Sequence, residues 1–99
     1  MKFQSTSHND ETRQRPVLAP RVRLQVDHVS GNPVLLFPEG ILILNETAKE
    51  IVIRCDGIRS IDEIAALLAQ EYKAMADELR RDVEECLRDL KRRQLIVLQ

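Results

Sequence analysis

The feature that most restricts this chain is a change of hydrophobic period at Leu44. Before it, apolar residues alternate or form short runs; after it, they recur at helical spacing. From Arg21 to Asp27 the alternation is strict, with Val22, Leu24 and Val26 on one side and Arg21, Arg23, Gln25 and Asp27 on the other. That is the pattern of a half-buried strand. His28 to Asn32, with Ser30 and Gly31, reads as a loop, and Val34-Leu35-Leu36-Phe37 as a second strand. Phe37-Pro38-Glu39-Gly40 fits a type I turn, with Pro second and Gly fourth. Ile41 to Leu44 then forms a third strand, and connections this short favour an antiparallel meander in chain order.

Beyond Leu44, Asn45 is suited to cap a helix carrying Ala48, Ile51, Val52 and Cys55, which Asp56-Gly57 ends. Ile51-Val52-Ile53 also has strand propensity, so this element rests on its period and its cap together. Ser60-Ile61-Asp62-Glu63 is a capping box, and Ile61, Ile64, Ala65, Leu68 and Tyr72 give the helix it opens one apolar face. A last helix starts near Asp77 and aligns Leu79, Val83, Cys86, Leu87 and Leu90, with acids at its start and Lys91, Arg92 and Arg93 at its end. Leu95 to Leu98 is either a short terminal strand or an apolar tail folded on the core. At the other terminus, residues 1–16 are polar and read as a disordered tail, Pro16 and Pro20 bracket a linker, and the folded domain covers 17–99. The expected class is α+β: an N-terminal three-stranded antiparallel sheet followed by three helices, winged helix-turn-helix-like.

A chain of 99 residues fits one domain with one core. With 3% aromatic residues and no Trp, that core must be built from Leu, Ile and Val. A net charge of -1 speaks against general affinity for nucleic acid or anionic membranes. No stretch approaches the roughly 20 apolar residues of a membrane span, and no apolar secretory segment opens the chain, so the cytoplasm is the expected compartment. Cys55 and Cys86 are far apart, without CxxC or His companions, and read as free buried thiols. Gly31, Gly40 and Gly57 are isolated and form no phosphate-cradling loop. His8 falls in the tail and His28 in a loop, while Asp82, Glu84 and Glu85 spread around a solvated helix side. No catalytic residue, metal site or cofactor is expected.

What remains is a sheet border. In a meander the first and third strands are both edges, and folded proteins guard an edge with charge, Pro or a covering segment. The first strand has Arg21 and Arg23; Ile41, Leu42, Ile43 and Leu44 have nothing of the kind. Such an edge is covered by the chain's own tail, pairs with a second copy, or docks an extended peptide by strand addition. In the last case the backbone of Ile41 to Leu44 holds the peptide. Val83, Leu87 and Leu90 of the last helix would select apolar anchors, with Arg80 and Lys91 able to meet acidic residues. The same helix stripe also serves ordinary core packing.

Five segments in order resemble the PqqD family (pyrroloquinoline quinone synthesis protein D). They are Pro20-Arg21-Val22-Arg23-Leu24, Val34 to Gly40, Leu44-Asn45-Glu46-Thr47-Ala48, Cys55-Asp56-Gly57 with Ile61 and Ile64, and Asp82-Val83 with Leu87 and Leu90. The resemblance implies a peptide chaperone, a recognition element for ribosomally made, modified peptides. It would bind the precursor peptide of pyrroloquinoline quinone between the third strand and the third helix and present it to a radical S-adenosylmethionine enzyme. The iron-sulfur chemistry belongs to that enzyme. Two other readings stay open: a winged-helix DNA binder, and a structural homodimer joined through the third strands. The first is disfavoured by Asp62, Glu63, Asp77 and Glu78 at the helix starts, where a recognition helix carries bases and amides.

Overall fold

The computed structural model describes residues 13–99; the expected tail lies outside them up to residue 12. Three strands form the main sheet in the order β2 (Arg23–Val26), β3 (Pro33–Phe37), β4 (Gly40–Ile43), both pairings antiparallel. This is the expected meander, with its first strand trimmed to four residues. Arg21 has φ 73, a left-handed conformation that cannot sit in a ladder, so the strict alternation begins before the strand does. Between β3 and β4, Phe37 pairs with Gly40. Neither Pro38 nor Glu39 has positive φ, in keeping with the unprimed turn expected there.

The expectation of one sheet is corrected. A second, two-stranded sheet joins the chain's ends: β1 (Pro16–Leu18) pairs antiparallel with β5 (Ile96–Leu98), Val17 opposite Val97. The ladder runs on past both strands, with Arg15 and Gln99 exchanging backbone hydrogen bonds of 2.8 and 3.0 Å and the Ala19 N–H donating to the Leu95 carbonyl at 2.9 Å. Residues 13–16 therefore do not belong to a tail, and 17–19 are no linker. Pro16 is buried and opens its strand, a position where the missing N–H is tolerated. Val17 also bridges to Asp56. Gly57 passes so near that a Cβ there would lie 3.5 Å from that of Val17, and its φ of 78 is a left-handed conformation that glycine adopts without strain.

The helices follow the sequence closely. In α1 (Glu46–Ile53) the Asn45 Oδ1 accepts the Ala48 N–H at 2.7 Å, and the helix ends earlier than Asp56-Gly57, at the Arg54 cap. α2 (Ile61–Tyr72) has both capping-box bonds, Ser60 N–H to Glu63 at 2.8 Å and Glu63 N–H to Ser60 Oγ at 3.1 Å. α3 (Ala76–Arg92) packs along α2 and against β5. One core results, formed by Val22, Leu35 and Leu44 from the strand region, Ile51, Val52, Ile64 and Leu68 from α1 and α2, Val83, Leu87 and Leu90 from α3, and Leu95 and Ile96. No described helix is long and apolar enough to cross a membrane.

Candidate peptide-docking site

β4 borders the main sheet, and its pairing with β3 fixes which backbone groups are taken. The Leu44 N–H donates to the Pro33 carbonyl at 2.9 Å. Bonded and non-bonded pairs alternate along an antiparallel ladder. With Leu35 opposite Leu42 and Phe37 opposite Gly40, those residues also turn to β3. Ile41 and Ile43 therefore turn their N–H and C=O groups outward. The far side of β3 agrees in phase: Asp27 donates to the Asn32 carbonyl at 2.8 Å, so Val34 and Leu36 serve β2 and the odd-numbered residues serve β4.

Side chains alternate as well. Leu42 and Leu44 pack against the core, whereas Ile41 and Ile43 are 55% and 65% exposed on the outer face. The border thus offers two outward backbone positions, apolar neighbours, and neither Pro nor charge within the strand. It is the kind of edge that recruits another strand.

The structure divides the α3 residues expected to flank this edge. Val83, Leu87 and Leu90 are 0%, 1% and 2% exposed, so their whole surface is taken by the core. At about 100° per residue, Arg80 and Lys91 fall on one side of that stripe and Asp82, Cys86 and Arg93 on the other. Arg80 accordingly faces α2, its Nε 3.2 Å from Asp62. Lys91 lines a hollow with Gln14, Ile61 and Leu98 beside β5. Neither lies on the β4 side.

The opposite flank does. At the end of β4, an open groove of about 450 Å³ is lined by Asn45, Thr47, Ala48 and Ile51 with Asp82, Glu85 and Cys86 of α3. At the β3–β4 turn, a hollow of about 470 Å³ is lined by Pro20, Arg21 and Val22 ahead of β2, by Phe37, Pro38 and Glu39 of the turn, and by Arg93. Between them Phe37, Leu42, Ala48 and Cys86 remain partly exposed while packed on the core. α3 therefore runs antiparallel to β4: Asp82 lies at its finish and Arg93 at its start. The spans agree, since eleven helical residues and five strand residues each cover about 16 Å.

Burial and pairing act on three titratable groups in this region. Burial pushes the Cys86 thiol up to about 11 and the Cys55 thiol up to about 12, so both are neutral at physiological pH. Cys55 Sγ donates to the Ile51 carbonyl at 3.3 Å. Asp89 is held below the usual carboxylate range by its hydrogen bond from Arg93 at 3.0 Å. Neutral thiols and an ion-paired carboxylate are poor nucleophiles and poor bases. The arrangement suits binding.

Comparison with known proteins identifies the relatives of this fold. Residues 33–96 match the family model of Coenzyme PQQ synthesis protein D (PqqD). A "PqqA binding protein" of Xanthomonas oryzae is 39% identical over 84 residues, covering 85% of this chain and 91% of that protein. The solution structure of the PqqD portion of Methylobacterium extorquens PqqCD, described as a stand-alone recognition element for ribosomally synthesized and post-translationally modified peptides, superimposes with a TM-score of 0.73 at 30% identity, covering 83% of this chain and 87% of that one. Lasso peptide synthetase B1, solved in complex with its leader peptide, gives a TM-score of 0.72 at 27% identity over 84% of this chain and 98% of that one. By the extent of the family match and the closeness of these relatives, this chain belongs to the PqqD family.

Proposed function

We propose that the chain is a non-catalytic adaptor of pyrroloquinoline quinone synthesis, which binds a PqqA precursor peptide as an added strand on β4. The observation that carries this is the phase of the ladder: the backbone of Ile41 and Ile43 faces outward beside an α3 flank of matching length. A visiting strand gains main-chain hydrogen bonds at both residues and side-chain selection from the groove. The names of the relatives support the ligand, and the resemblance of its motifs supports delivery to a radical S-adenosylmethionine enzyme. The cytoplasm suits two free thiols, which an oxidising compartment would threaten.

Titration of isotope-labelled protein with a PqqA peptide tests the reading. The amides of Ile41 and Ile43 and those of α3 from Asp82 to Arg93 are expected to shift, with little change at Arg80. Saturable binding that leaves β4 unperturbed overturns the proposed seat.

One observation favours a second occupant of the same edge. Ile41 and Ile43 expose enough apolar surface to pair two copies through β4. Sedimentation of dilute protein with and without peptide separates the two: a dimer built on β4 dissociates as peptide binds.

A further inference from the structure

The sheet border opposite β4 carries a feature that peptide docking does not use. Pro20 and Arg21 form the middle of a turn closed by the Val22 N–H, which donates to the Ala19 carbonyl at 3.1 Å. With Pro at its second position and φ 73 at its third, this is a type II turn. The third position suits Gly or Asn, and a larger side chain there strains the backbone. The arginine held in it lies between two adjoining hollows, of about 470 and 350 Å³, which share Phe37 and Pro38. Arg93 borders the first and Arg23 the second. Among the lining residues these three arginines stand against one acid, Glu39. Asp89 is divided between Arg92 and Arg93, and Arg21 and Arg23 form no ion pair with another described residue. In a chain of net charge -1, this corner keeps a positive excess.

Resting on the adaptor role proposed above, we infer that this arginine-rimmed surface docks an acidic segment of the modifying enzyme while β4 holds the peptide. An adaptor that presents a bound peptide needs two surfaces usable at once. β2 lies two strand spacings from β4, roughly 10 Å, and Arg21 and Arg23 precede or belong to it, so a partner here leaves the β4 edge open. The β3–β4 turn joins the two surfaces: a peptide strand running past Gly40 leaves the edge beside the first hollow. The chemistry favours carboxylates set among apolar side chains. Guanidinium groups pair with carboxylates through two hydrogen bonds at once, and Leu36, Phe37 and Pro38 offer apolar contact between them. Nucleic acid fits less well, because Glu39 lines the first hollow and would repel phosphate. The turn supports the same reading. Glycine at position 21 would relieve the backbone and lose only a side chain that forms no ion pair within the described chain, so the arginine's use is outward.

The test measures binding of the purified radical S-adenosylmethionine enzyme of the pathway by biolayer interferometry, with and without a PqqA peptide, at low and high salt. The variants are Arg21→Gly, and Arg21→Glu combined with Arg23→Glu. Arg21→Gly is expected to weaken enzyme binding by up to about fivefold while leaving the urea midpoint unchanged or raised, a combination that a structural role for the side chain does not produce. The double reversal is expected to weaken it by more than about tenfold, with the loss shrinking at high salt; Arg21→Gly keeps the test decisive if the reversal prevents folding. Calorimetry with the PqqA peptide alone should give both variants the parent affinity within about twofold. Enzyme binding that folded variants leave unchanged, or that the parent lacks with and without peptide, overturns the inference and leaves docking on β4 standing. A random-sequence DNA duplex that binds the parent and not the double variant overturns the choice of an acidic protein. Failure of the parent to bind PqqA removes the docking role and is read by calorimetry without enzyme, so the two failures are distinguishable.

Discussion

Replacing Ile43 by Pro isolates the one backbone feature on which the proposed role depends. Proline lacks an N–H, so its effect is set by where that N–H points. At Ile43 it points out of the sheet, given the bond from Leu44 to Pro33 and the register of β3 with β4. The side chain lost is 65% exposed and belongs to no part of the core. Leu42, which precedes it, is already extended, as a residue before Pro prefers. The cost to folding is therefore about 1 kcal/mol or less. A docked peptide loses one hydrogen bond and keeps a desolvated carbonyl without a donor, about 1–3 kcal/mol, or a weakening of about 5- to 150-fold. Leu42→Pro is the control: its N–H faces the carbonyl of Leu35, a residue with 0% exposure, so that variant loses at least about 2 kcal/mol of folding stability. Urea unfolding and calorimetry with a PqqA peptide read both effects. A folded Ile43→Pro protein that binds like the parent refutes strand addition at this edge. A strongly destabilised one refutes the assigned phase of the ladder.

Other perturbations separate core from rim. Arg80→Ala and Lys91→Ala are expected to leave peptide affinity within about twofold, because both side chains lie on the flank of α3 away from β4; fluorescence titration checks this. Leu87→Ala removes a side chain with 1% exposure and is expected to cost about 2–5 kcal/mol in urea unfolding, with the affinity of the folded fraction unchanged. Asn45→Ala deletes the α1 cap and is expected to cost about 1 kcal/mol in the same assay. For the thiols, the folded values of about 12 and about 11 stand above the ordinary 9.0. Their contribution is therefore complete below pH 9 and lost as pH rises through 11 to 12. Unfolding curves from pH 8 to 11 should show a shallower loss of stability in Cys55→Ala than in the parent; equal slopes contradict the thiol's part in it.

The difference between what the sequence discloses and what it hides follows from the range over which each signal acts. Caps and turns are local: Asn45, the Ser60–Glu63 box and Phe37 to Gly40 each complete their interactions within four residues, and each is found where its chemistry places it. The border position of β4 followed from short connections alone. The β1–β5 sheet was hidden because its two strands have three residues each, too few to show a period, and its partners are the two ends of the chain. Pro16 and Pro20 added a misleading cue, reading as linker punctuation although the first opens a strand. On α3, the apolar stripe was plain, but a stripe says only which face is buried. Which of its two flanks borders β4 depends on the helix's place against the sheet. Cys86 was the available hint: it extends the stripe toward one side only, and that side faces the groove.

This placement of α3 separates the residues that hold the fold from those that can read a ligand. Val83, Leu87 and Leu90 are enclosed by the strands and the other helices, so any change there is answered in stability. Asp82, Glu85 and Arg93, about one flank away on the same helix, are exposed, and substitutions at such positions usually stay within about 0.5 kcal/mol. The main-chain groups of Ile41 and Ile43 do not depend on side-chain identity at all. On the docking role proposed above, a domain built in this way keeps its edge constant while the exposed flank of α3 is free to vary. That separation gives a physical reason why this chain and the leader-bound lasso peptide synthetase B1 share a backbone at only 27% identity. Replacing Asp82 and Glu85 by their amides is accordingly expected to leave the stability of the fold within about 0.5 kcal/mol of the parent in urea unfolding, whereas Leu87→Ala does not.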